Sequence, residues 1–353
     1  MLPTTFKSNV AFTLCVFAFA TDANAADAND SGNEDGRIVV FQREKNPPVF
    51  LDFKVQPASG AAAARNTAKT ETFTGKVVRQ SLELQAKDYV IKVAGSKGKA
   101  LELHDKSLLN WSNPGRRTEQ GVVMVWHDGG LPLAIASLFT YEWQGTKVKH
   151  EFVSLGDAKL EATFDGQETW APNKPGVKWT TWSNGRPGSS SEVAAAKRRR
   201  LLQMRTIARE FEVTMKDERN KTSSLRLLTE PLYRFSSEKH GIVDGAIFAF
   251  AVATDPEAFL IVRGDEKEKL WRFGFVPSMY YELTAKRNKK IVWHFGSVMK
   301  DHINNSIGNE RLMGEPYLAY RLTPSGAFHP HPCLLYTSPS PRDQRGSRMP
   351  SSA

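Results

Sequence analysis

The chain contains two long segments that match each other at a fixed distance of 124 residues. At this offset seven pairs of positions carry the same residue: Leu101 and Leu225, Leu103 and Leu227, Leu108 and Leu232, Ser112 and Ser236, Gly121 and Gly245, Pro132 and Pro256, and Ala134 and Ala258. Further along, an offset of 123 residues aligns Phe152, Leu160, Ala162 and Trp170 with Phe275, Leu283, Ala285 and Trp293. Tandem matches of this kind predict a supersecondary unit that is built twice.

The two ends of the chain differ in composition from its middle. Residues 1–25 have the pattern of a secretory signal peptide, with a short apolar run followed by the small-residue cleavage site that ends at Ala25. From about Cys333 the chain is rich in Ser, Pro and Arg and resembles translated sequencing adapter. We therefore expect residues 326–353 to be a disordered, artefactual tail, the alternative being a disordered basic tail.

Cysteine and charge content narrow the class of protein. Cys15 lies in the predicted signal peptide and Cys333 in the tail, so the mature body has no disulfide, thiol nucleophile or Cys-ligated zinc. Export without disulfides is typical of a bacterial envelope. The chain carries a net charge of +10, which suits an acidic partner. After signal removal no apolar stretch is long enough to span a membrane.

The body begins with a poorly ordered segment and a first β-rich repeat. Residues 26–70 are acidic and then Ala-rich, with short strands expected at 37–41 and 49–55. The first repeat is expected over 71–185, where residues 159–164 alternate polar and apolar as in a half-buried antiparallel strand. Turn sequences such as Asp-Gly-Gly and Gln-Gly separate its other strand candidates.

The second repeat is expected over 186–325 and opens with an amphipathic helix. Ser189 and Glu192 could form a capping box, after which apolar residues recur at helical spacing. Residues 211–216 fit a strand as well as the end of this helix. The fold class is therefore α+β, mainly antiparallel β, with two β-rich tandem repeats and a connecting helix. The repeats could form two domains or share one continuous sheet.

Three histidines in the first repeat are evenly spaced and invite comparison with a zinc site. His104, His127 and His150 could supply three nitrogen ligands from neighbouring strands. The alternation of the strands argues against this, because His104 shares a face with a glutamate and His150 shares the apolar face. We predict no metal site and no cofactor.

The best enzymatic candidates are His150 and Ser154, which together have the parts of a general base and a nucleophile. Glu151 points to the opposite strand face from His150, so these two cannot form a relay. No serine lies in a Gly-x-Ser-x-Gly elbow. We therefore expect His150 to be a core histidine, and a periplasmic hydrolase remains the alternative.

Tryptophan residues could form a platform for sugar rings. Trp170 and Trp293 occupy equivalent repeat positions, and Trp111 and Trp126 correspond to phenylalanines, so these four are expected in the core. Two others lie in the Pro-, Gly- and Ser-rich stretch between the repeats. Trp179 and Trp182 are therefore the candidate exposed platform of a glycan-binding module.

A run of four basic residues marks the helix that opens the second repeat. Lys197, Arg198, Arg199 and Arg200 could bind an acidic envelope polymer or another envelope protein. No aromatic residues are interleaved with them, so nucleic acid is not expected as a partner. A solvated helix face is the simpler interpretation.

Several separated blocks of sequence carry a resemblance to a known family. They are SLLNWSNP, GVVMVWHDGGLPLAIASLF, KHEFVSL, RRLLQMRTIAREF, LRLLTEPLYRF and DGAIFAFAVATDPEAFLIV, which together cover about 105–295. The chain resembles an uncharacterised family of exported proteins from planctomycete-type bacteria. This resemblance implies a bacterial source, an envelope location and no assigned activity or site residues. We expect a non-enzymatic binding or structural component of the cell envelope.

Overall fold

The computed structural model describes residues 75–76, 78–96, 99–142, 146–188 and 193–322, and the backbone of three short strands nearer the amino terminus. These strands are β1 (Cys15–Phe17), β2 (Arg37–Phe41) and β3 (Val49–Asp52), which form an antiparallel sheet in that order. The strands predicted at 37–41 and from 49 are present. The rest of the predicted signal peptide, most of the 26–70 segment and the 326–353 tail lie outside the described residues, as does the predicted Ser189–Glu192 capping box.

The chain divides into two compact units, one comprising residues 1–77 with 324–353 and the other residues 78–323. The first half of the larger unit contains α1 (78–87), β4 (Tyr89–Val93), β5 (Glu102–Leu103), β6 (Leu109–Asn113), β7 (Thr118–Asp128), β8 (Leu131–Glu142), β9 (Thr146–Ser154), β10 (Leu160–Phe164), β11 (Gln167–Trp170) and β12 (Thr180–Trp182). Its second half contains α2 (Ala194–Arg209), β13 (Phe211–Lys216), β14 (Thr222–Ser224), β15 (Arg226–Leu227), β16 (Tyr233–Ser237), β17 (Ile242–Val252), β18 (Asp255–Asp265), β19 (Trp271–Pro277), β20 (Glu282–Arg287), β21 (Lys290–Phe295), α3 (Met299–His302), α4 (Glu310–Met313) and β22 (Tyr317–Leu322).

The strands of the larger unit form four antiparallel sheets. Two have six strands, in the orders β22-β9-β8-β7-β5 and β12-β19-β18-β17-β15, with β6 and β16 also pairing with β7 and β17. Two smaller sheets have the orders β11-β10-β4 and β14-β13-β20-β21. The predicted class, α+β and mainly antiparallel β, is confirmed. No helix in the described part is long and apolar enough to cross a membrane.

Two hydrophobic clusters show how the layers pack. One cluster includes Ile135 and Val153 from one six-stranded sheet and Phe259 and Ile261 from the other, so these sheets pack face to face. The other cluster lies on the outer side of the second of these sheets, where α2 and the four-stranded sheet cover it. The buried apolar side of α2 is formed by Met204, Ile207 and Ala208.

The two halves repeat the same irregularities at equivalent positions. The β6–β7 pairing shifts between Trp111 and Asn113, and the β16–β17 pairing shifts between Phe235 and Ser237, 124 residues later. Val93 pairs with Leu160 and Met215 pairs with Leu283, which extends the correspondence to β4 and β13 at an offset of 122. Residues related by these offsets are termed matched. That the halves descend from a duplication stays a prediction.

The halves are interlocked through their edge strands. β12 follows the first half in sequence but pairs with β19, where Trp182 lies opposite Trp271. β22 follows the second half but pairs with β9, where Tyr320 lies opposite His150. Each half thus supplies the edge strand of the other half's six-stranded sheet.

The predicted helix α2 is present, but it differs in detail from the expectation. It begins at Ala194 after Val193 and ends at Arg209, so Phe211 belongs to β13 and the strand alternative for 211–216 is the one observed. The helix α1 was not predicted. Its buried residues Leu82 and Ala86 match Met204 and Ala208 of α2. Alignment of this segment with α2 would have predicted α1 from the sequence.

Candidate functional site

His150 lies in the core of the first half. Its ring is fully buried, its Nδ1 lies 2.6 Å from the hydroxyl of Tyr89, and its Nε2 lies 2.9 Å from Oε1 of Gln85. Burial lowers the pKa of His150 to about 3, so the imidazole is neutral at physiological pH. Both nitrogens are engaged in this network, which leaves neither free to act as a general base.

Ser154 does not approach His150. The two residues are four positions apart on β9, a separation of about 13 Å along a strand. Ser154 is buried, and its hydroxyl lies 3.4 Å from the carbonyl of Gly156. The structure therefore does not bring together the pair on which the hydrolase alternative depended.

The other two histidines of the first repeat pack against a tyrosine of the second half. The ring of His104 lies 5.2 Å from that of Tyr233, and the ring of His127 stacks on the same tyrosine at 6.4 Å. Nδ1 of His127 is 3.9 Å from Glu102. Among the described residues there is no group of three or more His, Cys, Asp or Glu side chains that could hold a metal ion.

Trp179 and Trp182 do not form an exposed platform. Trp182 is only 3% exposed because β12 joins the second six-stranded sheet and turns this side chain into the core. The guanidinium of Arg287 lies 3.7 Å above its ring. Trp179 is half-buried under Arg263, whose guanidinium is 3.9 Å from its ring centroid. The glycan platform predicted for this pair is therefore wrong.

The basic run on α2 is split between surface and interior. Arg198 and Arg199 are exposed, and Lys197 is half-buried. Arg200 is buried, and its Nε donates to Asp244 at 2.8 Å, where Arg234 also binds. Arg200 is thus a structural residue, and the prediction that it contacts an acidic partner is wrong.

Between the two six-stranded sheets, the second half carries acidic residues at two positions where the first half carries apolar ones. Asp255 and Glu257 of β18 are both buried there, whereas their matched residues on β8 are Leu131 and Leu133. The first half thus carries leucine at the equivalent positions. The fold itself does not require charged residues at these positions.

A charge cluster, defined as Arg116, Lys149, Glu151, Asp255 and Glu257, occupies this space. Nη1 of Arg116 lies 3.2 Å from Asp255 and 2.8 Å from Glu257. Lys149 and Glu151 lie on the same face of β9, and the ammonium of Lys149 is 4.2 Å from the ring centroid of Tyr280. The cluster joins residues of both halves.

Burial dominates the electrostatics of this cluster. It raises the pKa of Asp255 to about 6, of Glu151 to about 7 and of Glu257 to about 8. It lowers the pKa of Lys149 to about 8. The cluster therefore exchanges protons near neutral pH. Such shifts occur at active sites and also in structural ion-pair networks.

A cavity of about 250 Å³ lies on the other side of the second six-stranded sheet, between the edge strands β12 and β21. This groove is lined by Lys178, Thr180, Phe273, Gly274, Phe275, Ile291, Val292, Trp293 and His294. The half-buried ring of Trp293 lines it and packs on the fully buried Phe275, with ring centroids 5.5 Å apart and an interplanar angle of 23°. Ile291 is 63% exposed at the groove.

Among the described residues, the matched tryptophan of the first half is covered. Trp170 is fully buried and its Nε1 donates to the carbonyl of Glu315 at 2.9 Å, while the backbone N–H of Ala171 donates to the carbonyl of Met313 in α4. Trp293 is half-buried, packs against the core and lines an open cavity. The expectation that both tryptophans belong to the core is therefore confirmed for Trp170, whereas Trp293 lies at the edge of the core.

The groove is lined by neighbours of Trp179 and Trp182, but neither of these tryptophans lines it. Side chains alternate along β12, so Lys178 and Thr180 share the face of Trp182 but lie further along the strand, where they are exposed. The difference between Trp170 and Trp293 could not be read from their identical residue type. Comparison of the chain with protein-family models, with curated proteins and with solved structures finds no match.

Proposed function

We propose that this chain is an exported, non-enzymatic binding protein of a bacterial cell envelope, and that its ligand binds in the groove between β12 and β21. The observation that carries the proposal is the contrast between the two matched tryptophans. Trp170 is sealed by the segment around α4, whereas Trp293 and its neighbours line a concave surface. Ligand sites are typically concave, mostly apolar and equipped with a few polar groups.

The composition of the groove supports binding rather than catalysis. Its titratable side chains are Lys178 and His294, and it contains neither a carboxylate nor a nucleophile beside a base. The charge cluster, in which burial shifts the pKa values of Lys149, Glu151, Asp255 and Glu257, lies instead between the two six-stranded sheets. A glycan-binding role is therefore retained from the sequence expectations, with the groove replacing Trp179 and Trp182 as its site.

A substitution that fills the groove tests the proposal. Thr180 and Thr181 are adjacent, exposed residues of β12 whose side chains point to opposite faces, and only Thr180 lines the groove. Thr180→Trp should block the cavity, while Thr181→Trp adds the same side chain elsewhere. The purified chain and both variants would be titrated with neutral and acidic envelope saccharides by ligand-observed NMR.

We expect at least one saccharide to bind the wild type and the Thr181→Trp variant but not the Thr180→Trp variant. Equal binding by all three proteins would refute the groove as the site. Release of shortened saccharide products would refute the non-enzymatic assignment.

A further inference from the structure

The groove places one accessible aromatic ring beside a lysine. Trp293 is half-buried and packs on the fully buried Phe275, so the indole of Trp293 is the aromatic surface available to the apolar face of a six-membered sugar ring. Lys178 is an exposed residue of the groove lining, and Thr180 adds a hydroxyl group. The groove lining contains no acidic residue.

This charge pattern selects for an anion. Lys178 supplies an ammonium group, which forms its strongest hydrogen bonds with carboxylate or phosphate oxygens. Within the described residues Lys178 makes no ion pair. Lys289 and Lys290, at the β20–β21 turn, are further basic residues of the hairpin that carries Trp293.

The size of the groove limits the ligand to a single ring at a time. Its volume of about 250 Å³ lies below the range of about 300–1,000 Å³ that is usual for drug-sized ligands. The groove is also open along its side, since Ile291 remains exposed at its edge. One ring of a longer chain can therefore enter while its neighbours remain outside.

We infer that the ligand of this groove is a uronic acid residue of an acidic polysaccharide. The sugar ring would lie on Trp293, and its carboxylate would face Lys178. This assignment rests on the proposed function, because it names the ligand class of the same groove. The net positive charge of the chain already suggested an acidic envelope polymer as partner. The uronic acid assignment places the contact with such a polymer at Lys178.

The test compares two ligands that differ only in charge. The full chain would be titrated with digalacturonate and with the neutral disaccharide obtained by reducing both carboxyl groups, using ligand-observed NMR because weak binding is measurable by this method. The wild type should prefer digalacturonate, and this preference should weaken as ionic strength rises. Lys178→Gln should reduce the affinity for digalacturonate by about tenfold and leave the neutral sugar unaffected.

Lys290→Gln provides the matched control. It replaces the same residue type on β21, the strand that carries Trp293, but Lys290 does not line the groove, so its effect on affinity should be small. Equal affinity for both disaccharides, or an unchanged digalacturonate affinity in Lys178→Gln, would overturn the uronic acid assignment. Those results would leave the groove itself intact, whereas failure of Thr180→Trp to reduce binding would overturn the proposed function.

Discussion

Glu257 and Leu133 occupy matched positions on β18 and β8, and both side chains are buried. Burying a carboxyl group is costly unless it is paired or protonated, whereas burying a leucine is favourable. The ion pair with Arg116 reduces this cost when Glu257 is ionised, and the raised pKa of Glu257 favours its neutral, protonated form. Comparison of Glu257 with Leu133 therefore indicates that the second half loses stability by carrying a buried carboxyl group at this position.

Replacement of Glu257 by leucine is expected to stabilise the protein. Leucine removes the desolvation cost of a fully buried carboxyl group. Because Arg116 remains, the gain should be smaller than the about 1–4 kcal/mol that replacement of a whole buried ion pair often gives. Arg116 keeps Asp255 as a partner in this variant. The free energy of unfolding would be measured by urea denaturation at neutral pH.

Arg116→Met is the contrasting variant for this prediction. It removes the cation and leaves both carboxyl groups without it, which should destabilise the protein, by up to about 3–5 kcal/mol if the acids stay ionised. If Glu257→Leu were as destabilising as Arg116→Met, the charge cluster would be contributing stability that the matched leucine does not replace.

Glu257 is also expected to make the protein less stable as the pH rises. Burial raises the pKa of Glu257 to about 8 in the folded protein, against about 4.3 in an unfolded chain. Between these values the folded state binds more protons, so the contribution of this carboxyl is complete below the unfolded pKa and is lost as the pH rises through the folded pKa. Unfolding free energies from about pH 5 to about pH 8 should fall more steeply for the wild type than for Glu257→Gln.

The other members of the charge cluster remain in both proteins of this comparison. Glu151 and Asp255 titrate in the same direction as Glu257, while His150 acts in the opposite sense. Glu161→Gln, at an exposed position on β10, is the control and should follow the wild-type curve. Parallel curves for Glu257→Gln and the wild type would contradict the prediction.

Local patterns predicted the elements better than they predicted the surroundings of each side chain. Alternation along 159–164 identified β10, and helical spacing identified α2. The stretch around Trp182 was interpreted as a linker because of its Pro, Gly and Ser content. Its pairing with β19, almost 90 residues away, depends on long-range contacts that local composition does not encode.

The site could be predicted only in part for the same reason. Trp170 and Trp293 are the same residue at matched positions, yet only Trp170 is covered, because the segment after β21 returns to the first half. The charges of Asp255 and Glu257 are visible in the sequence, but their burial follows from the packing of one sheet on another. Matching the halves does reveal that these two acids replace leucines.

Two glycines are expected to be intolerant of alanine because aromatic rings lie against them. A Cβ atom at Gly121 would lie 2.2 Å from the ring of Trp111, and one at Gly245 would lie 2.3 Å from the ring of Phe235. Gly121→Ala and Gly245→Ala should each destabilise the protein by about 1–3 kcal/mol. Gly296→Ala, where nothing lies within 4 Å, is the control for thermal denaturation. Unchanged stability in both matched variants would contradict the observed stacking.

The polar network around His150 is expected to be replaceable as a unit but not singly. Gln85, Tyr89 and His150 match Ile207, Phe211 and Phe273, which form an apolar contact in the second half. His150→Phe alone leaves Gln85 without its hydrogen-bond partner and should cost about 1–3 kcal/mol. The triple variant Gln85→Ile, Tyr89→Phe, His150→Phe removes these three polar groups together and leaves the buried hydroxyl of Tyr320 with Thr169 as its partner. It should recover part of that loss.

Acid sensitivity provides a second measurement on the same variants. The folded pKa of His150 is about 3, below the unfolded value of about 6.5, so its contribution is present above the unfolded pKa and is lost as the pH falls toward 3. The triple variant lacks this titration and should lose less stability than the wild type on acidification. The prediction would be contradicted if the triple variant were less stable than His150→Phe, or if it lost as much stability on acidification as the wild type. Either result would show that the apolar residues of the second half cannot replace the polar network of the first.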